Sequence, residues 1–241
     1  MITSVQNETI KKIMKLKQKK YRDEENLFLV EGFHLVEEAK KAGCIQRVIA
    51  TSENLLDQDG LLVSQKVMEK LAFTKTPQPI MAICRKPSHT SFQPSLERYL
   101  LLDGIQDPGN LGTIIRTALA FGYDQMILSP ECVDLYNDKV IRATQGALFQ
   151  MKICQMDLLE AISLLQENHV PIYATSLHHA LSIEQYPIQK QMAFVLGNEG
   201  QGVSNEVLKQ CDHALYIPIQ SIDSLNVAIA GAIVMYHFPK V

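Results

Sequence analysis

The apolar positions of this 241-residue chain alternate between short continuous runs and stretches of helical period. Continuous runs of four to six read as buried strands, and apolar residues three and four apart read as helices. Residues 3–20 (TSVQNETIKKIMKLKQKK) predict a helix with a partial apolar stripe of Ile10, Ile13, Met14 and Leu16. LFLV (27–30) predicts a strand. Residues 31–43 predict a helix that stops at Gly43, behind Lys40 and Lys41. RVIAT (47–51) is a further strand, LLVSQKVMEKLAF (61–73) a short strand passing into a helix, and PIMAIC (79–84) a strand. The pattern then lapses in RKPSHTSFQPS (85–95), whose two prolines and three serines read as a linker. The expected division is a small α/β domain over 1–86, a linker over 87–96 and a larger domain over 97–241.

The larger domain alternates more clearly. Strands are expected at 98–104, 125–129, 151–154, 171–176, 192–197 and 214–219. Helices are expected at 111–122, 139–149, 157–169, 204–211 and 224–238. Apolar strands such as RYLLL and MAFVL between helices imply a largely parallel sheet covered on both faces. Ligands bind at the carboxyl ends of such strands. The loops after the strands at 98–103, 192–196 and 214–217 should meet at one edge. The last helix is apolar all round and rich in Ala228, Ala230, Gly231 and Ala232. It is expected to be buried, in a monomer core or equally in a subunit interface.

Composition adds exclusions. The polar start MITSVQNETI shows no secretory signal, and the longest apolar run, VAIAGAIVM (227–235), has nine residues. A membrane span needs ~20. Cys44, Cys84, Cys132, Cys154 and Cys211 form no C-x-x-C or zinc spacing. Reduced thiols, a cytoplasmic location and no metal are the expectations. The pair His178–His179 reads as a solvated loop. Net charge is −3, but seven basic residues and no acidic one lie between Lys11 and Arg22. Taking these seven from the 23 basic residues leaves 16 against 26 acidic ones. A basic arm on an acidic body points to an anionic partner, with a solvated helix face the equal alternative.

Three loops carry the candidate chemistry. In DGIQDPGNLGTIIRTALAFG (103–122), Asn110 is expected to cap the helix. Arg116, among Ile114, Ile115, Ala118 and Leu119, needs a partner or a task, or lies at the surface between two faces. FVLGNEGQGVS (194–204) is glycine-rich like a phosphate cradle, yet it contains Glu199 and no lysine. In YIPIQSIDSLNVAIAGAIVM (216–235), Pro218 stiffens the strand exit and Ser224 is expected to cap the last helix.

N-x-G-x-x-x-R-x-A at 110–118, L-G-N-E-G-x-G at 196–202 and I-P…D-S-L-N-V-A at 217–228 occur in order. The set resembles the three signature motifs of the SpoU/TrmH branch of the SPOUT RNA methyltransferases. Residues 15–39 (KLKQKKYRDEENLFLVEGFHLVEEA) resemble the substrate-binding domain of ribosomal-RNA members, which is similar to a ribosomal-protein fold. The resemblance implies an α/β SPOUT domain with a parallel sheet and a C-terminal trefoil knot, behind a small RNA-binding domain. It implies homodimers with active sites at the interface, and S-adenosyl-L-methionine as methyl donor without a metal. Donor contacts would fall on Thr175, Ser176, Leu196, Gly197, Gly200, Gly202, Ile217, Pro218 and Leu225. Asn110, Arg116, Glu199, Ser224 and Asn226 would form the catalytic set. RNA would be gripped by Lys15, Lys17, Lys19, Lys20 and Arg22, and by Arg142, for which a structural ion pair is the alternative. Phe28, Glu31 and Gly32, in the FLVEG signature, read first as holders of a strand-to-helix turn.

The implied reaction moves a methyl group from a sulfonium to a ribose 2′-hydroxyl of RNA, with 23S ribosomal RNA favoured. The rivals are a transfer-RNA substrate, a catalytically silent RNA-binding homologue and an antibiotic-resistance role. One departure stands out. Most members carry a glycine between Ile-Pro and Ser-Leu-Asn in a segment one residue longer, whereas this chain has Gln220, Ser221 and Ile222. Thr144 also stands where serine is usual.

Overall fold

The computed structural model describes residues 1–87, 91–222 and 224–240. Part of the expected linker and Asp223 of the third loop therefore lie outside the described residues. Contacts divide the chain into two units, Met1–Ser88 with Tyr136–Phe149, and His89–Leu135 with Gln150–Val241. Among the described residues no helix is long and apolar enough to cross a membrane.

The first unit has a four-stranded sheet of β1 (Leu27–Glu31), β2 (Ile45–Ala50), β3 (Leu61–Leu62) and β4 (Ile80–Arg85). Its order is β1-β4-β2-β3. β4 runs antiparallel to both β1 and β2, and only the β2–β3 pair is parallel. The helices are α1 (Glu8–Lys15), α2 (Lys19–Glu25), α3 (Phe33–Lys41), α4 (Gln65–Leu71) and α6 (Asp138–Thr144). Ile10, Ile13 and Leu16 pack with Ile49, Val67, Met68, Leu71 and Met81 in its core.

The single helix expected over 3–20 is two. The break has a tertiary cause. The buried Arg22 guanidinium donates to the Leu16 carbonyl (2.9 Å), and the Lys17 ammonium donates to the carbonyls of Ala72 (2.7 Å) and Lys70 (3.1 Å). Lys17 thereby satisfies the open carboxyl end of α4. The FLVEG stretch does hold its turn. Glu31 accepts from the N–H groups of Phe73 (2.7 Å) and Thr74 (3.3 Å). Gly32 sits at φ +95°, where an added Cβ would lie 2.8 Å from the Gln78 amide oxygen. The helix expected over 139–149 ends at Thr144, because Gln145 turns left-handed at φ 49° and Gly146 follows at φ 90°.

The second unit is a seven-stranded, wholly parallel sheet in the order β7-β6-β5-β10-β8-β11-β9. Its strands are β5 (Arg98–Leu102), β6 (Gln125–Leu128), β7 (Lys152–Gln155), β8 (Ile172–Thr175), β9 (Leu181–Ser182), β10 (Met192–Leu196) and β11 (His213–Tyr216). The helices are α5 (Pro108–Ala120), α7 (Leu158–Glu167), α8 (Asn205–Gln210) and α9 (Val227–His237). β5 and β10 are buried along their whole length; YLLL and MAFVL are unbroken apolar runs, and the buried Arg98 donates to the carbonyls of Lys190 (2.7 Å) and Phe238 (3.2 Å). The two-residue β9 has no counterpart in the expected strand set.

Three expectations are corrected. α5 begins at Pro108, not 111, and its cap is Asp107, which accepts from the Asn110 N–H at 2.8 Å. Proline at the first helical position needs no N–H partner, so the Asp-Pro pair starts the helix earlier. α9 is capped by Asn226, not Ser224: its side-chain oxygen accepts from Ala228 (2.9 Å) and Ile229 (3.3 Å). Nor is α9 buried all round, since Ile229 is 52% and Tyr236 74% exposed. They lie seven residues apart, on one face. The opposite side packs on α5, and Gly231 comes so close to the sheet that a Cβ would sit 2.7 Å from Leu196.

Candidate active site

Chain order reverses across the sheet between β5 and β10, and the loops leaving these strands meet at their carboxyl ends. Beside them, at the ends of β8, β10 and β11, lies a cavity of about 680 Å³. Its lining includes Thr175, Ser176, Leu196, Gly197, Gly200, Gly202, Ile217 and Leu225, all expected at the donor site, together with Glu199, Ser224 and Asn226. Pro218 is outside the lining.

The glycine loop is built by two backbone bonds between Asn198 and Gly202, at 3.0 and 2.9 Å. Gly197 is obligatory there, because a Cβ would fall 2.0 Å from the backbone of Gly202 and Val203. Gly202, at φ +71°, has nothing within 4 Å of where a Cβ would point, and Gly200 meets only the Asn198 side chain. Both line the cavity, where they present bare backbone to a ligand. The space falls within the usual range of small-ligand pockets.

A chain of hydrogen bonds joins the three loops. The Glu199 carboxylate accepts from the N–H of Asp107 (3.0 Å), the N–H of Gln106 (3.2 Å) and the side-chain amide of Asn110 (3.0 Å). The Asn226 amide donates to the Asn110 oxygen at 2.9 Å while its own oxygen caps α9. Burial pushes the Glu199 carboxyl up, but bonds from Asn110 and from the N–H groups of Asp107 and Gln106 outweigh it and hold the acid below its usual value. Glu199 is thus an anion with its lone pairs engaged, which makes it a spacer and a poor proton acceptor. Ser224 is exposed at the cavity rim.

Arg116 is not drawn into this network. It is exposed on α5, and among the described residues it forms no hydrogen bond or ion pair. The expected RNA-binding set divides. Arg22 is buried and Lys17 caps α4, so both serve the fold of the first unit. Lys19 pairs with Asp23 (2.8 Å) and Lys20 approaches Glu24 (3.8 Å), both at the surface. Lys15 stands 5.2 Å from the centre of the Tyr21 ring. Arg142 pairs with Asp138 at 3.0 Å, one turn earlier in α6.

Asp107 and Asn198 were missed in the sequence. The signal for Asp107 was the Asp-Pro pair ahead of an apolar period. For Asn198 it was an Asn-x-Gly step, since its side-chain oxygen accepts from Gly200 (2.9 Å) and Gln201 (3.2 Å) while its amide donates to the Gly104 carbonyl (2.7 Å). In the third loop Ser221 adopts φ 70°, a conformation that favours glycine.

Known proteins resemble this chain throughout. The model of the SpoU rRNA Methylase family matches residues 97–236, and that of the MRM3-like substrate binding domain matches 7–82. The 23S rRNA (guanosine(2553)-2'-O)-methyltransferase RlmP of Bacillus subtilis is 36% identical over 98% of both chains. The mitochondrial rRNA methyltransferase 3 of Homo sapiens is 28% identical over 92% of this chain and 69% of its own. The AdoMet-bound rRNA methyltransferase from Sinorhizobium meliloti superposes with a TM-score of 0.89 and is 31% identical, covering 98% of this chain and 95% of the other.

Proposed function

The chain belongs to the SpoU rRNA methylase family, and from that premise we propose that it methylates a ribose 2′-hydroxyl of large-subunit ribosomal RNA. It is an S-adenosylmethionine-dependent RNA methyltransferase by the company it keeps. The observation that carries the reading is the bonded series Glu199–Asn110–Asn226, set at the mouth of a glycine-floored cavity. Bound there, S-adenosyl-L-methionine would supply a methyl group already activated by its sulfonium charge.

The protein's part is alignment and charge. Gly197, Gly200 and Gly202 open the floor, Leu196, Ile217 and Leu225 offer apolar wall, and Thr175 and Ser176 add hydroxyls at one end. Asn110 and Asn226 fix each other's amide orientation and so present a rigid polar rim to a ribose. Arginine keeps its proton, so Arg116 is not the base: the hydroxyl proton passes to water at the open rim, while Arg116 stabilises the oxygen that loses it and holds an adjacent phosphate.

Arg116 is exposed and unengaged among the described residues, and Ile229 and Tyr236 on α9 present an uncovered apolar face. Both features support a homodimer in which α9 lies at the interface and Arg116 completes a shared active site. A C-terminal trefoil knot through the third loop belongs to the same reading. A ribosomal target is favoured over a transfer RNA by the match over 7–82 and by the full-length likeness to a ribosomal-RNA enzyme.

The test is transfer of a labelled methyl group from S-adenosylmethionine to unmodified ribosomal and transfer RNA in separate reactions. Label in large-subunit RNA alone is expected. Label confined to transfer RNA would move the substrate, and label in neither would remove the enzyme reading.

A further inference from the structure

The first unit carries a second concavity, of about 490 Å³. Lys12 and Lys15 of α1 and Arg47 of β2 all line it. All three are exposed, and none is in a salt bridge among the described residues. Its wall includes the half-buried ring of Tyr21, with the Lys15 ammonium 5.2 Å and the Lys20 ammonium 5.9 Å from the ring centre. Ile13, Leu27 and Ile83 form an apolar floor. Gln46, Glu24 and Glu25 stand at the rim, and Glu24 is 3.8 Å from Lys20.

A merely solvated basic helix would not bring a strand arginine, an aromatic ring and an apolar floor to the same hollow. The combination suits a ligand with anionic groups, one flat face and polar edges. A base-paired helix presents no free face to insert, whereas an unpaired nucleotide stacks on aromatic rings and leaves its phosphates to basic side chains. The rim amide and carboxylates supply donors and acceptors for base edges or a 2′-hydroxyl.

We propose that this groove holds one unstacked nucleotide of a single-stranded RNA segment, its base displacing a lysine ammonium from over the Tyr21 ring and its flanking phosphates on Lys12, Lys15 and Arg47. This deepens the methyltransferase reading on which it rests, by naming where substrate outside the methylated residue is gripped. It also moves the grip away from Lys17 and Arg22, which serve the fold.

The probe is a short, fluorescently labelled single-stranded oligoribonucleotide of mixed sequence, titrated with the full chain at several salt concentrations. The combined variant Lys12→Ala, Lys15→Ala, Arg47→Ala changes only exposed positions and should fold. It is expected to bind more weakly and to lower the slope of log affinity against log salt by about 2, three phosphate contacts at ~0.7 each. Tyr21→Leu is expected to weaken binding roughly tenfold with the slope unchanged, and Tyr21→Phe to bind like the wild type. Lys40→Ala, Lys66→Ala, Lys75→Ala removes the same charge elsewhere in the unit and should keep the wild-type slope. Equal slopes for the two triple variants, or wild-type binding by Tyr21→Leu, would overturn the groove. The binding assay needs no methyl donor. Labelled transfer with an unaltered KM in the groove variants would sink the groove and leave the methyltransferase standing. Groove effects with no transfer by the wild type would do the reverse.

Discussion

Asn226 does two jobs with one amide: its oxygen caps α9 and its nitrogen bonds Asn110. The two can be separated. Asn226→Asp keeps the capping oxygen and adds a charge that the helix N-terminus favours, so thermal stability should hold or rise. It places an acceptor against the Asn110 oxygen, and methyl transfer should fall about tenfold, the worth of one net hydrogen bond. A melting curve beside a kcat/KM measurement checks both halves, and equal loss in each would contradict the division. Glu199 gives a pH expectation. Its folded acid is held below the unfolded value, so its stabilising contribution is present above the unfolded value and fades as pH falls through the folded one. Donor affinity measured by calorimetry should be flat near neutrality and decline only in acid, below roughly pH 4.5. A decline centred near pH 7 would point to a different group. Ser221 holds a left-handed conformation that costs an L-residue roughly 1–2 kcal/mol. Ser221→Gly should therefore raise unfolding stability by up to about that amount, as denaturant titration would show.

At the level of elements, the loop between β10 and α8 is the least forgiving. Gly197→Ala must displace the backbone of Gly202 and Val203, so it should abolish donor binding by calorimetry while the first unit keeps its fold. The strands around this loop were legible from their apolar runs, because a buried parallel strand leaves no alternation to misread. The starts of α5 and α9 were not placed correctly. In each case two polar residues competed for the cap, and position relative to the first apolar residue chose the wrong one. Asp107 won over Asn110 because Pro108 fits the first turn, and Asn226 won over Ser224 because its oxygen reaches two N–H groups. The break between α1 and α2 had no local signal at all. No glycine or proline marks it, and it is held by Arg22 and Lys17 reaching carbonyls elsewhere.

Across the whole molecule, the first two loops converge because β5 and β10 are neighbours, and the third, leaving β11, reaches them through the Asn226–Asn110 bond; a meeting at one sheet edge was expected from the alternation of strands and helices. The membership of Tyr136–Phe149 in the first unit was not, since nothing in its composition differs from the helices around it. The proposed homodimer is tested at the exposed apolar face of α9. If Ile229 and Tyr236 lie at a dimer interface, Tyr236→Glu should shift the mass in solution from dimer to monomer and lower methyl transfer with it, as light scattering beside the activity assay would show. A monomeric wild type would contradict the shared site.

In the proposed reaction the methyl group lands on a ribose oxygen. Alkaline hydrolysis of ribosomal RNA labelled by the wild type and by Arg116→Ala tests this. A 2′-O-methyl group blocks cleavage at its own position, so label is expected in one alkali-stable dinucleotide, absent with the variant. Label released as a mononucleotide would place the methyl on a base and rule out ribose transfer.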